Sequence, residues 1–128
     1  MEANLKIGIV GPCSAGKSTL VEGLKQRGYL NARPISQEHS YVPYMWQRIT
    51  NPDVLIYLDV SYENAQKRRW LNWTPDEYLE QLRRLQHARE HAHLYVDTNP
   101  LSVGEVLEEV LRFLGMAGKN IDAGQGKR

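Results

Sequence analysis

Leu5-Lys6-Ile7-Gly8-Ile9-Val10-Gly11-Pro12-Cys13-Ser14-Ala15-Gly16-Lys17-Ser18-Thr19-Leu20 is the stretch that decides the fold. Leu5 to Val10 is a short apolar run, suited to a strand buried on both faces of a parallel sheet. Gly11 to Gly16 reads as a loop. From Lys17 to about Arg27 the apolar residues Leu20, Val21 and Leu24 recur at helical spacing, and Gly28 marks the stop. The reading is strand, glycine loop, helix.

Gly11 to Ser18 matches the pattern G-x-x-x-x-G-K-[ST] in full. Its glycines let the backbone curl until successive N–H groups point at phosphate oxygens. The helix that follows aims its positive end at the same place. Gly11, Ser14, Ala15, Gly16, Lys17, Ser18 and Thr19 are therefore the expected cradle for a nucleoside triphosphate, with ATP and Mg2+ the expected pair. Lys17 supplies a mobile charge for the β- and γ-phosphates, and the Ser18 hydroxyl is a magnesium ligand. Cys13 reads as a small loop residue with a thiol open to oxidation.

Outward from that loop, Asn31 to Ser36 is a weaker strand, with Pro34 placing it at a sheet edge. Gln37 to Pro52 has no clear period, and Met45 to Ile49 fits one helical turn. Val54 to Leu58 is a second buried strand. Ser61 caps a helix running to about Leu71. Thr74, Pro75 and Glu77 form a capping box with proline at the first helical position. That helix reaches about Glu90, with Tyr78, Leu82 and Leu85 on its apolar face. His93 to Val96 is a further strand. Ser102 and Glu105 form another capping box, before a last helix with Val106, Leu107, Val110, Leu111 and Leu114 inward. Gly115 is its expected stop, and the four glycines of residues 115–128 suggest a flexible tail after a domain of residues 1–114. Alternating strands and helices imply parallel βαβ units in a doubly wound, three-layer α/β fold, and with the 11–18 pattern the expected fold class is that of the P-loop NTPases. Its short parallel sheet has four strands in the order 2, 1, 3, 4.

Four stretches together resemble the P-loop nucleotide and nucleoside kinases, the group of thymidylate, deoxynucleoside, adenylate and adenylylsulfate kinases. They are LKIGIVGPCSAGKSTL at 5–20, QEHS at 37–40, DVLIYLDVSYENAQKRR at 53–69 and HLYVDTNPLSVGEVLEEVLRFL at 93–114. Glu38-His39-Ser40 is similar to the Glu-Arg-Ser motif of deoxynucleoside kinases. The resemblance implies that Glu38 holds magnesium or takes a proton from an acceptor hydroxyl. It also implies that the helix ending in Arg68 and Arg69 leads into a basic lid, with those arginines on adenine or phosphates. Asp59 ends an apolar strand like a magnesium-side acid, and it also has a competing use in shaping the turn and the next helix start. Thr98 and Asn99 follow the last strand, where ligands of open α/β sheets bind, and are candidate base contacts. Only about 25 residues separate Gly28 from Val54, so the acceptor-binding region is shortened.

Composition narrows the rest. The chain has 128 residues, 41% apolar and 24% charged, with a formal net charge of +1. That charge gives no global field for nucleic acid or an anionic membrane, and neither partner is expected. Cys13 is the single cysteine, which allows no intrachain disulfide. Met1 to Asn4 has no basic or long apolar leader pattern, and the expected location is the cytoplasm. His87, His91 and His93 have no acid or cysteine to complete a zinc set. Trp46, Trp70 and Trp73, with Tyr41 and Tyr44, serve either to stack an aromatic acceptor or to pack helices. The expected function is an ATP-dependent kinase with a small-molecule phosphoryl acceptor. The rival is a nucleotide-binding module or switch that binds or slowly hydrolyses ATP or GTP.

Overall fold

The computed structural model describes the backbone of residues 5–69 and 72–126, and side chains of 5–68 and 72–116. Strands β1 (Ile7–Val10), β2 (Ala32–Pro34), β3 (Val54–Asp59) and β4 (Leu94–Asp97) form one parallel sheet in the order β2-β1-β3-β4. β1, and β3 up to Leu58, are apolar and buried, and both strands sit in the middle. β2 ends on Pro34, which has no N–H to give a second neighbour, and it lies at the edge. The order expected from the sequence is the order observed.

Helices α1 (Lys17–Gln26), α2 (Met45–Ile49), α3 (Tyr62–Arg69), α4 (Pro75–His91) and α5 (Val103–Gly126) connect and cover the strands. On one face Leu20, Val21 and Leu24 of α1 and Val106, Val110 and Leu114 of α5 bury Ile7, Ile9, Ile56 and Leu58. On the other, Trp46 of α2 and Leu85 and Ala88 of α4 bury Val10, Leu55 and Tyr57. Each fully buried aliphatic side chain contributes about 1.5–3 kcal/mol. The chain leaves β1 toward β2 over one face and returns across β1 toward β3 over the other. β1 is thus the strand at which the winding reverses, and the crevice outside its carboxyl end is where open parallel sheets take ligands.

Both capping boxes form. Glu77 N–H donates to Thr74 Oγ1 at 3.2 Å and Thr74 N–H to Glu77 Oε1 at 2.8 Å, and Ser102 and Glu105 repeat the pattern. Two local expectations fail. Gly115 does not end the last helix, which continues to Gly126. Glycine stops a helix by turning left-handed, and Gly115 is not among the residues of positive φ. The buried stripe of α4 is Gln81, Leu85 and Ala88, rotated from the expected Tyr78, Leu82 and Leu85. Tyr78 is half-buried and instead donates its hydroxyl to Val60 O at 2.7 Å. The expected end of α3 near Leu71 lies outside the described residues.

Gln37 opens a 3-10 turn, Gln37–His39, between β2 and α2. It is fully buried. Its Nε2 donates to Val42 O at 2.8 Å and Arg84 O at 3.2 Å, while Oε1 accepts from Trp46 N–H at 2.8 Å. One amide therefore ties the turn to α2 and α4 and fixes where Glu38 points. Gln37→Leu leaves those backbone groups unpaired and should lower the free energy of unfolding by about 3 kcal/mol. Urea unfolding checks this, and a loss below about 0.5 kcal/mol would contradict the staple.

Candidate functional site

The loop 11–18 leaves the carboxyl end of β1 and enters α1 through a left-handed Gly16, with φ 101°. Gly16 has no side chain to cap the helix, and no side-chain hydrogen bond closes its first turn. The first N–H groups of a helix have no intrahelical acceptor. Here Gly16, Lys17, Ser18 and Thr19 line a cleft of about 760 Å³, a size ordinary for a small-molecule site.

Lys17 is folded back into its own loop. Its Nζ donates to Gly11 O at 2.7 Å and Pro12 O at 3.1 Å, and lies 3.1 Å from Glu38 Oε2. The Glu38 side chain is 5% exposed, so this is a buried ion pair. Glu38 Oε1 and Ser14 Oγ are buried with no hydrogen-bond partner among the described residues. An unpaired buried polar atom costs about 1–3 kcal/mol, and two of them border one cleft.

Of the residues singled out in the sequence, the structure brings Ser14, Ala15, Gly16, Lys17, Ser18, Thr19, Glu38, Arg68 and Thr98 to this cleft. Gly11 does not line the cleft, and its carbonyl accepts from Lys17 Nζ. Arg68 reaches from α3 and donates to Ser14 O at 3.2 Å, Thr98 Oγ1 at 3.0 Å and Thr98 O at 2.8 Å. One guanidinium thus joins α3, the glycine loop and the end of β4. The side chain of Arg69 lies outside the described residues.

Asp59 and Asn99 are not in the cleft wall. Asp59 Oδ1 accepts from Val60 N–H at 2.9 Å, and Oδ2 accepts the Tyr95 hydroxyl. Burial, then the hydrogen bond to Asp59, push the Tyr95 phenol up to about 12, so it stays a donor throughout the neutral range. One hydrogen bond to each carboxylate oxygen of Asp59 shapes the β3 end, and Asp59 does not line the cleft with Ser18. Asn99 Oδ1 accepts from Ser61 N–H at 3.0 Å and Asn64 Nδ2 at 2.8 Å, holding the start of α3.

His87, His91, His93, Trp46 and Trp73 are used in ring packing and hydrogen bonds. His87 Nδ1 accepts from Trp46 Nε1 at 3.1 Å and its ring stacks on His91, while His93 Nδ1 accepts from Leu55 N–H at 2.9 Å. Trp73 stacks on Tyr62 and meets Tyr78 edge-on. Tyr41 is exposed, with the Arg84 guanidinium 4.3 Å over its ring. Trp70 lies outside the described residues.

Two participants escaped the sequence reading. Gln81 of α4 accepts Cys13 N–H on Oε1 at 3.0 Å and donates from Nε2 to Cys13 Sγ at 3.2 Å. Its only sequence signal is a glutamine within one turn of an apolar stripe. His39 lies at the cleft mouth, 3.7 Å from Glu38 Oε2 and 3.8 Å from Cys13 Sγ.

Ser18 offers an exposed hydroxyl and Glu38 an unpartnered carboxylate oxygen on the same cleft. Hard oxygen donors of this kind suit Mg2+, which keeps several waters and takes few protein ligands. No helix of the described residues is long and apolar enough to cross a membrane. No protein-family model matches the chain, and no curated protein matches it in sequence.

Proposed function

We propose that this cleft binds a nucleoside triphosphate, ATP with Mg2+, on a P-loop NTPase fold. We further propose that the chain transfers the terminal phosphoryl group to a nucleotide, nucleoside or other small metabolite. The observation that carries the reading is the uncapped first turn of α1, with Lys17 beside it, at the strand where the sheet reverses its winding. Backbone N–H groups and a helix N-terminus there favour a polyphosphate.

In this reading Lys17 leaves the Gly11 and Pro12 carbonyls for the β- and γ-phosphates. Lys17 exchanges two neutral carbonyls and the Glu38 carboxylate for polyphosphate oxygens, and charge-assisted bonds to several of those oxygens favour the bound state. Glu38 then loses its ion-pair partner and is available either to hold Mg2+ with Ser18 or to receive the proton of an acceptor hydroxyl. The metal, when bound, neutralises charge on the phosphates. Arg68 already touches Ser14 O, and a small shift would place it on the same charge.

A second reading is a binding module or switch without a small acceptor. The brevity of α2, five residues, favours it. The segment between α1 and α2 contributes Pro34, Ser36, Glu38 and His39 to the cleft wall.

ATP turnover against a panel of nucleosides, nucleotides and small metabolites separates the two. Stimulation by one compound supports the kinase, and a flat, slow rate supports the switch. Glu38→Gln should lower stimulated turnover at least tenfold, about 1.4 kcal/mol of barrier, and should also lower the melting temperature, because it leaves the buried Lys17 ammonium without its countercharge. Asp59→Asn should act mainly on stability through Tyr95 and Val60. Loss of turnover in Asp59→Asn alone would reverse these roles.

A further inference from the structure

Cys13, His39 and Glu38 come from two segments that meet only in the folded chain. Cys13 Sγ lies 3.8 Å from His39 Nε2, and His39 Nε2 lies 3.7 Å from Glu38 Oε2. One donor atom from each of the three falls within 4.8 Å of the others. Zinc bonds of about 2.0–2.3 Å in tetrahedral array set nitrogen, oxygen and sulfur donors about 3.4–3.6 Å apart. The three side chains need shifts of a few tenths of an ångström to about an ångström to meet that geometry.

The cluster has features that chance proximity lacks. Glu38 is 96% buried, being 4% exposed, and its Oε1 has no hydrogen-bond partner among the described residues. That oxygen is free for a cation while Oε2 holds Lys17. Gln81 holds Cys13 by both its backbone N–H and its sulfur. His39 is exposed and free to turn its ring. A thiolate, an imidazole and one carboxylate leave a fourth position open, and this donor set prefers Zn2+ or Co2+ over Mg2+.

We infer that Cys13, His39 and Glu38 form a binding site for a zinc-class divalent cation, and that its occupation opposes triphosphate binding. The cation binds as the Cys13 thiol releases its proton to solvent, so affinity rises with pH. Cys13 is a residue of the glycine loop, and clamping its sulfur to the 38–39 turn fixes the loop across the cleft. It also occupies the Glu38 oxygen that Mg2+ would use. The antagonism rests on the triphosphate reading above; the metal site does not.

The test begins with Co2+ titrated into the reduced, metal-free full-length chain. The expected result is one equivalent bound, with tetrahedral visible bands and a sulfur-to-cobalt charge-transfer band. Zn2+ should displace it and millimolar Mg2+ should not. Cys13→Ser should remove the charge-transfer band, and Cys13→Ser and His39→Gln should each weaken binding at least tenfold. Absence of that band in the native chain, or equal Co2+ affinity in all three proteins, overturns the site.

ATP calorimetry with and without one equivalent of Zn2+ then tests the antagonism. Zinc should lower ATP affinity at least tenfold in the native chain and leave unchanged whatever affinity Cys13→Ser shows. The variant also corrects for zinc bound by ATP itself. A zinc-insensitive affinity in the native chain overturns the antagonism. An intact cobalt site in a chain that binds no ATP would overturn the triphosphate reading, and the antagonism with it, while supporting the site.

Discussion

Lys17→Ala should weaken ATP binding at least tenfold, about 1.4 kcal/mol, and should also destabilise the chain by about 3 kcal/mol. The first effect follows from removing the cation that the loop places beside the uncapped turn of α1. The second follows from Glu38. Its side chain is 5% exposed and 3.1 Å from Lys17 Nζ, and without the lysine a buried carboxylate has no countercharge. Breaking a buried pair by removing one partner costs far more than replacing both. The double variant Lys17→Ala/Glu38→Gln should therefore recover most of the lost stability and none of the ATP affinity. Urea unfolding of the single and double variants decides the point. A double variant as unstable as Lys17→Ala would mean that the lysine's worth lies in its bonds to the Gly11 and Pro12 carbonyls.

Gly11→Ala should be more damaging to the fold. Gly11 has φ 153°, and a Cβ built there would lie 2.2 Å from Leu58 O. Leu58 is fully buried in β3, so the obstacle is backbone in a central strand. Relief requires moving β1 or β3, at a cost of about 3 kcal/mol or more. Gly16→Ala is the control. Gly16 is also left-handed, with φ 101°, but nothing lies within 4 Å of its built Cβ. That substitution costs about 1–2 kcal/mol of backbone strain alone. Thermal and urea unfolding should rank Gly11→Ala well below Gly16→Ala. Equal losses would show that the close approach to Leu58 is relieved without cost.

What could be read ahead of the structure was what depends on neighbours in the chain. The strand order came from two fully apolar runs that must be central and a proline that must be at an edge. The two capping boxes are bonds between residues three apart. The loop 11–18 is a local pattern, and the structure gives it the strand before and the helix after that the pattern requires. What was missed depends on residues far apart. Gln81 and Cys13 are 68 residues apart, and no periodicity in α4 marks a glutamine as the clamp of a loop. The buried stripe of α4 is rotated because Leu85 and Ala88 pack on Leu55 and Tyr57 while Tyr78 is held by its hydroxyl. Asp59 ends β3, and the bond it accepts from Tyr95 on the adjacent strand, 36 residues later, is a contact that no local pattern marks.

The central claim is that the cleft at the start of α1 binds a triphosphate with Mg2+ through Lys17. The measurement that tests it most directly is calorimetric titration of Mg·ATP into the native chain and into Lys17→Ala/Glu38→Gln, with unfolding curves confirming that both are folded. The account predicts saturable binding of one ATP to the native chain and an affinity at least tenfold lower in the double variant. No saturable binding to the native chain, or equal affinity in the two proteins, would contradict it.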